Sequence, residues 1–206
     1  MAWSYYITDR HTSRRPILEQ IQIAIEAGVD YVQIREKDLS SRKLFDLAVS
    51  ARGLAERGQA RILINDRLDV ALAAGLDGVH LGQQSIAPEF IRLRVPNEDF
   101  LIGVSTHTLP EVEQAHRRGV SFLVFGPVFL SPSKALYGPP AGIENLKEAC
   151  GFSKVPVFAL GGINQQNYSD CLGAGATGIA GIRLFQSDRK SVAKLVQEIH
   201  SFPAAG

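Results

Sequence analysis

The chain is short of most features that would mark a specialised class of protein. It has two cysteines in 206 residues, Cys150 and Cys171, with no CxxC spacing. That excludes a disulfide scaffold or a zinc ribbon. Both fall in helical patterns and read as buried free thiols of a reducing compartment. Neither sign of charge is in excess: 22 Lys and Arg against 21 Asp and Glu give a formal net charge of +1. Nothing in that balance favours nucleic acid or a membrane surface as partner. No apolar run is long enough to span a bilayer. The start, M-A-W-S-Y-Y-I-T, lacks the basic region and long apolar stretch of a secretory signal. Cytoplasm is therefore the expected location. No glycine-rich fingerprint follows the first apolar run; T-D-R-H-T stands there instead, which argues against an open dinucleotide-binding sheet.

What the chain does have is a regular alternation. Hydrophobic residues make up 45 % and charged residues 21 %, as in an ordinary globular core, and the length suits a single domain covering residues 1–206. Short apolar runs predict strands at 5–8, 31–35, 61–65, 78–81, 101–105, 122–125, 157–160 and 178–182. Helical spacing predicts helices at 16–27, 41–57, 68–74, 87–94, 110–118, 143–150, 165–173 and 190–200. A long Pro- and Gly-rich loop occupies 126–141. Four segments resemble one another: A-G-V-D-Y-V from Ala27, A-G-L-D-G-V from Ala74, R-G-V-S-F-L from Arg118 and A-G-A-T-G-I from Ala174. Each closes a helix and enters an even-numbered strand. Such a fourfold recurrence of paired units predicts an α/β fold of the (β/α)8 TIM-barrel type.

In a barrel the loops after the strands converge on one face and carry the chemistry. Here they hold Gln33, Arg35 and Lys37; Asn65 and Asp66; His80, Gln84 and Ser85; Ser105 and His107; Ser131, Ser133 and Lys134; Gly161 and Gly162; and Arg183. The set is rich in cations and hydroxyls although the whole chain is nearly neutral, so a phosphate or pyrophosphate ligand is expected. L-G-G-I-N after the seventh strand leaves a backbone bare enough to approach an anion. I-R-L-F after the eighth completes the pair of loops that builds phosphate sites in barrels. V-F-L-S-P-S-K places two hydroxyls and Lys134 on a loop long enough to close over a ligand. His80, flanked by Val79 and Leu81, reads as a histidine hydrogen-bonded inside the barrel mouth. His107, just past the fifth strand, is placed to exchange a proton near neutral pH. His11, His116 and His200 read as surface residues.

Six motifs occur in order, one per strand end: Q-I-R-E-K at Gln33, I-N-D at Ile64, D-G-V-H-L-G-Q at Asp77, I-G-V-S-T-H-T at Ile102, G-P-V-F-x-S-P-S-K at Gly126 and L-G-G-I-N at Leu160. Together they resemble the thiamin phosphate synthase and thiazole tautomerase family, whose fold is a (β/α)8 barrel. In its synthase branch, the resemblance implies, pyrophosphate leaves a hydroxymethylpyrimidine and a thiazole phosphate nitrogen captures the pyrimidine cation. Gln33, Arg35, Lys37, Asn65 and Lys134 would contact the pyrimidine pyrophosphate, Asp66 would ligate Mg2+, and Ser105 would face the pyrimidine. Ser131 and Ser133 stand where the family often has Thr. Gly161 and Gly162 would hold the thiazole phosphate, and His80 would line the substrate site.

Two departures matter. Synthases of this family carry acidic residues after the fourth strand, the last a second metal ligand; Gln84 and Ser85 stand there. Arg183 stands where synthases have Ser. The tautomerase branch moves a proton to aromatise a thiazole carboxylate phosphate, needs no pyrophosphate metal site, and has its acid–base histidine at the position of His107. On the missing carboxylate, a thiazole tautomerase without cofactor is the leading expectation, with His107, Lys134 and Arg35 as catalytic residues. A Mg2+-dependent synthase is the alternative, and a non-catalytic phosphate-binding or regulatory barrel a third. The expected partners are small phosphorylated heterocycles, with a homodimer left open.

Overall fold

The computed structural model describes residues 1–56, 59–115, 119–130 and 139–203. Eight parallel strands close into a barrel in sequence order: β1 Trp3–Ile7, β2 Tyr31–Ile34, β3 Arg61–Asn65, β4 Gly78–Leu81, β5 Leu101–Thr106, β6 Phe122–Phe125, β7 Val157–Ala159 and β8 Gly178–Gly181. The intervening helices are α1 Ile17–Glu26, α2 Ser41–Ala55, α3 Leu68–Ala73, α4 Pro88–Arg94, α5 Leu109–Ala115, α6 Gly142–Phe152, α7 Tyr168–Gly173 and α8 Arg189–His200. A 3-10 turn, Arg183–Phe185, follows β8.

The expected elements are present, and their edges differ for local reasons. β1 begins two residues early because Trp3 N donates to Thr177 O, which joins its first residue to the β8 entry. α2 starts at Ser41 as expected and is capped by Ser40, whose hydroxyl accepts from Lys43 N, satisfying one of the free N–H groups of a first helical turn. α7 starts three residues late. Asn164 Oδ1 accepts from Gln166 N and Asn167 Oδ1 accepts from Asn164 N, so these side chains build a turn that competes with helix.

Inward and outward strand residues form two separate cores, following the period of two along a strand. Inside the barrel lie Tyr5, Ile7, Leu63, Phe122, Val124, Phe158 and Ala180. The outward residues, among them Tyr6, Ile62, Ile64, Leu123 and Phe125, pack against the helices. The lower interior is aromatic: Tyr5 sits 5.6 Å from Phe122 and 5.4 Å from Phe158, both edge-on. Those rings need gaps opposite. A Cβ at Gly178 would come within 2.6 Å of the Phe158 ring, and one at Gly103 within 2.3 Å of Phe122.

The fourfold repeat has one structural meaning throughout. Gly28, Gly75, Gly119 and Gly175 all have positive φ. At three of them the paired bonds of a Schellman turn are present, as where Gly75 N reaches Leu72 O and Leu76 N reaches Ala71 O, the geometry in which glycine escapes the Cβ clash. Two residues further on, each repeat places a short polar side chain that accepts from a backbone N–H of the preceding strand. Asp30 takes Ser4 N at 2.7 Å, Asp77 takes Ile62 N at 2.7 Å, Ser121 takes Ile102 N at 3.0 Å and Thr177 takes Val157 N at 3.3 Å. The device seals the lower rim of the barrel, opposite the loops that carry the chemistry. His200, expected on the surface, joins it: Nε2 lies 2.8 Å from Asp30 Oδ2.

Candidate active site

The upper rim collects the expected side chains by topology. Ile34 pairs with Ile64, so Arg35 and Asn65 leave adjacent strand ends at the same height. Arg35 and Asn65 are half-buried, while Lys37 and Asp66 are exposed. None of the four side chains has a hydrogen bond or ion pair within the described residues, leaving two cations, an amide and a carboxylate open to a ligand. Asp66 has φ +67, the single non-glycine residue at positive φ among those described. Asp tolerates this conformation better than most residues, and here Asp66 N donates to His80 O while the side chain turns to solvent.

The loop bearing Arg35 and Lys37 is anchored by a residue that the reading of Q-I-R-E-K passed over. Glu36 is only 4 % exposed. Its carboxylate accepts from Thr8 Oγ1 at 2.6 Å, from Arg10 N and from Arg10 Nη1 at 3.2 Å. Thr8 Oγ1 in turn accepts from Arg35 N at 2.9 Å. Arg10 continues to both oxygens of Asp38, and that guanidinium holds the Asp38 carboxyl well below the usual range. An apolar outward position at the end of β2 would have been ordinary; a buried carboxylate with three donors is the signal that the spacing alone does not reveal.

Across the rim, His80 and Ser105 meet. His80 Nε2 lies 2.9 Å from Ser105 Oγ and Nδ1 lies 3.4 Å from Tyr5 OH. The imidazole is 3 % exposed, and burial, followed by the nearby Arg35 charge, pushes its pKa down to about 3. It is a neutral interior histidine, its nitrogens facing Tyr5 and Ser105 rather than the open mouth. Gln33 is equally buried and donates to Tyr5 OH at 2.8 Å.

His107 is held differently. Its Nδ1 bonds the Gly126 carbonyl, and its backbone N donates to Glu111 Oε2 at 2.7 Å. A carbonyl only accepts, so the ring proton sits on Nδ1 and the Nε2 lone pair remains. Glu111 also accepts from Gln83 Nε2 at 2.9 Å, tying the β4 loop to this histidine. In that β4 loop Ser85 Oγ accepts from Gly82 N at 2.7 Å while Gln84 is exposed. Ser85 is thus a turn-forming residue where a second metal carboxylate was sought.

Gly161 and Gly162 have φ of +100 and +66. The structure gives them a packing reason besides any ligand: a Cβ on Gly161 would lie 2.6 Å from Pro127 and one on Gly162 2.5 Å from Leu130 O. Arg183, in the 3-10 turn after β8, the strand next to β7, is exposed. Ser131, Ser133 and Lys134 lie outside the described residues.

The order of these strand ends matches a known family over most of the chain: a model described as thiamine monophosphate synthase matches residues 4–185. The chain belongs to this family. A Geobacter sulfurreducens protein, provisionally named a thiamine-phosphate synthase, is 46 % identical over 185 residues, 89 % of this chain and 86 % of its own. The thiamine-phosphate synthase of Chloroflexus aurantiacus is 40 % identical over 177 residues, 85 % of this chain and 81 % of its own. Among solved structures, a thiamine phosphate pyrophosphorylase from Pyrococcus furiosus superposes with a TM-score of 0.85 at 32 % identity, covering 96 % of each chain. These similarities carry the synthase name, and none of them carries the tautomerase that the altered β4 loop had put first.

Whether Mg2+ suits the site depends on the donors present. Among the described residues no three His, Cys, Asp or Glu side chains gather as a metal cage. Mg2+ characteristically takes one or two carboxylates and completes its shell with phosphate and water. Asp66, exposed and without an ion pair among the described residues, follows Asn65 at the end of β3 and suits that mode of binding.

Proposed function

We propose that the protein is a thiamin phosphate synthase, joining hydroxymethylpyrimidine pyrophosphate to a thiazole phosphate. The observation that carries this reading is the uncommitted group Arg35, Lys37, Asn65 and Asp66 at the adjoining ends of β2 and β3. A tautomerase has no pyrophosphate to neutralise and no need of that group; the similarity to named synthases supports the same choice.

The reaction breaks the bond between the pyrimidine methylene carbon and a pyrophosphate oxygen, the oxygen keeping the electron pair. The carbon is left electron-poor, and the thiazole nitrogen lone pair then forms the new C–N bond. Most of the barrier is developing negative charge on the leaving group. Arg35, whose backbone N is held by Thr8, and Lys37 bring two cations to the rim that stabilise that charge, and Asn65 donates to the same oxygens. Lys134, outside the described residues, would contact the same pyrophosphate by the family resemblance. Asp66 would hold Mg2+, which when bound neutralises part of the pyrophosphate charge. Ser105 lines the pyrimidine side, with His80 and the buried Gln33 behind it. The β7 and β8 loops, with Gly161, Gly162 and Arg183, receive the thiazole phosphate. Arg183 supplies a permanent charge with paired donors suited to a phosphate.

A second reading has one observation in its favour. His107 keeps its Nδ1 proton on Gly126, leaving Nε2 to accept a proton, which is what tautomerisation of a thiazole carboxylate phosphate requires. The decisive experiment supplies both synthase substrates with and without Mg2+ and follows thiamin phosphate and pyrophosphate. Mg2+-dependent formation of both is expected. No product, with metal-free aromatisation of the thiazole carboxylate that His107→Ala abolishes, would transfer the assignment to the tautomerase.

A further inference from the structure

A hydrogen-bonded chain crosses the barrel beneath its mouth. Gln33 Nε2 donates to Tyr5 OH at 2.8 Å, Tyr5 OH lies 3.4 Å from His80 Nδ1, and His80 Nε2 lies 2.9 Å from Ser105 Oγ. The four residues come from β2, β1, β4 and β5, and Ser105 alone is partly exposed. The register leaves room for this arrangement: His80 pairs with Gly103, where a Cβ would fall 2.8 Å from Nδ1.

The direction of the chain follows from what each group can give. The Gln33 amide nitrogen only donates, so the Tyr5 oxygen accepts and its own proton is left for His80 Nδ1. A neutral imidazole carries one N–H. With Nδ1 accepting, that proton sits on Nε2 and goes to Ser105 Oγ. The hydroxyl proton of Ser105 is then not used within the chain. In the opposite tautomer Ser105 would donate to His80 and offer only lone pairs to the mouth. Gln33, Tyr5 and His80 are all buried, so the partners of the chain come from one another.

We propose that Tyr5 and His80 are positioning residues that fix Ser105 as a hydrogen-bond donor into the barrel mouth, selecting a ligand that presents an unprotonated acceptor atom there. In taking that atom to be a ring nitrogen of the pyrimidine pyrophosphate, the inference rests on the synthase reading. The tautomer itself does not.

The test is 15N-edited NMR of the imidazole nitrogens, with His80 assigned by its loss in His80→Gln. The wild-type protein should show neutral Nε2–H between about pH 5 and 8. Tyr5→Phe should weaken that signature and raise KM for hydroxymethylpyrimidine pyrophosphate about tenfold, the worth of one hydrogen bond, while KM for thiazole phosphate stays unchanged. Nδ1–H or imidazolium in the wild-type protein at pH 7 overturns the proposal. So does Tyr5→Phe with an unaltered tautomer, or an altered tautomer with unaltered KM. Should Tyr5→Phe fail to fold, the wild-type spectrum decides. A protein inactive as a synthase yet showing the Nε2–H tautomer overturns the functional reading while supporting the locked chain.

Discussion

Glu36 is a case where identity and position along the chain mislead. In a run of Arg, Glu and Lys it looks like one of several solvated charges. The alternation past the end of β2 puts it on the outward side of the barrel, where Thr8 and Arg10 bury and satisfy it. Thr8→Val removes both the donor to Glu36 and the acceptor for Arg35 N. An unfolding free energy lower by about 1–3 kcal/mol is expected from the stranded carboxylate, together with a higher KM for the pyrophosphate substrate. Thr8→Ser should restore both; denaturant melts and substrate titrations would show it. A Thr8→Val protein with wild-type stability and KM would mean that the clamp does not govern Arg35. The β4 loop invites the reverse experiment. Ser85→Asp offers a carboxylate on the loop after β4, next to the β3 end that carries Asp66, and its expected effect is a lower Mg2+ concentration at half-maximal synthase rate. An unaltered Mg2+ dependence would show that position 85 does not reach the metal.

At the scale of elements, the sequence repeat was visible but its work was not. Spacing of Gly28, Gly75, Gly119 and Gly175 announces paired units; it does not say that Asp30, Asp77, Ser121 and Thr177 each hold the strand before them, because the partners lie 15 to 26 residues away. Strand and helix order was legible because the barrel alternates apolar runs with helical periodicity. Edges such as the start of α7 were less so, since Asn side chains there compete with the backbone. The four turns should differ in strength by charge and length. Asp77→Ala leaves Ile62 N without its 2.7 Å carboxylate partner and should cost about 1–3 kcal/mol. Ser121→Ala should cost less, and Thr177→Val, whose bond is 3.3 Å, least. Urea unfolding of the three variants tests the ranking; equal losses would mean that the side-chain bonds contribute no more than the turn itself.

For the whole molecule, near-neutral overall charge conceals local differences in pairing: Glu36 and Asp38 are satisfied by Arg10, whereas Arg35 and Lys37 have no ion pair among the described residues. The fold could be read from one dimension, whereas the Gln33–Tyr5–His80–Ser105 chain could not, since it joins four strands at one height of a closed barrel. Its buried histidine also gives the molecule a pH response. The unfolded chain protonates His80 near pH 6.5, whereas the folded protein resists until about 3, because of burial and the Arg35 charge. Between those values the unfolded state binds the extra proton, so stability is complete above about pH 6.5 and falls as pH falls, by ~1.4 kcal/mol per unit from this group. Asp38, Asp69 and Asp188 are held below the usual carboxylate range, so their loss begins only near pH 4 and below. The window from about pH 6.5 to 4.5 therefore separates the histidine from the carboxylates. His80→Gln should be less stable at neutral pH, yet its stability should fall less steeply through that window, by about one proton's worth of slope. Urea melts of both proteins at half-unit pH steps measure the difference. Parallel curves would mean that His80 takes up its proton inside the fold as readily as outside it, and that the interior of the barrel mouth is wetter than its packing indicates.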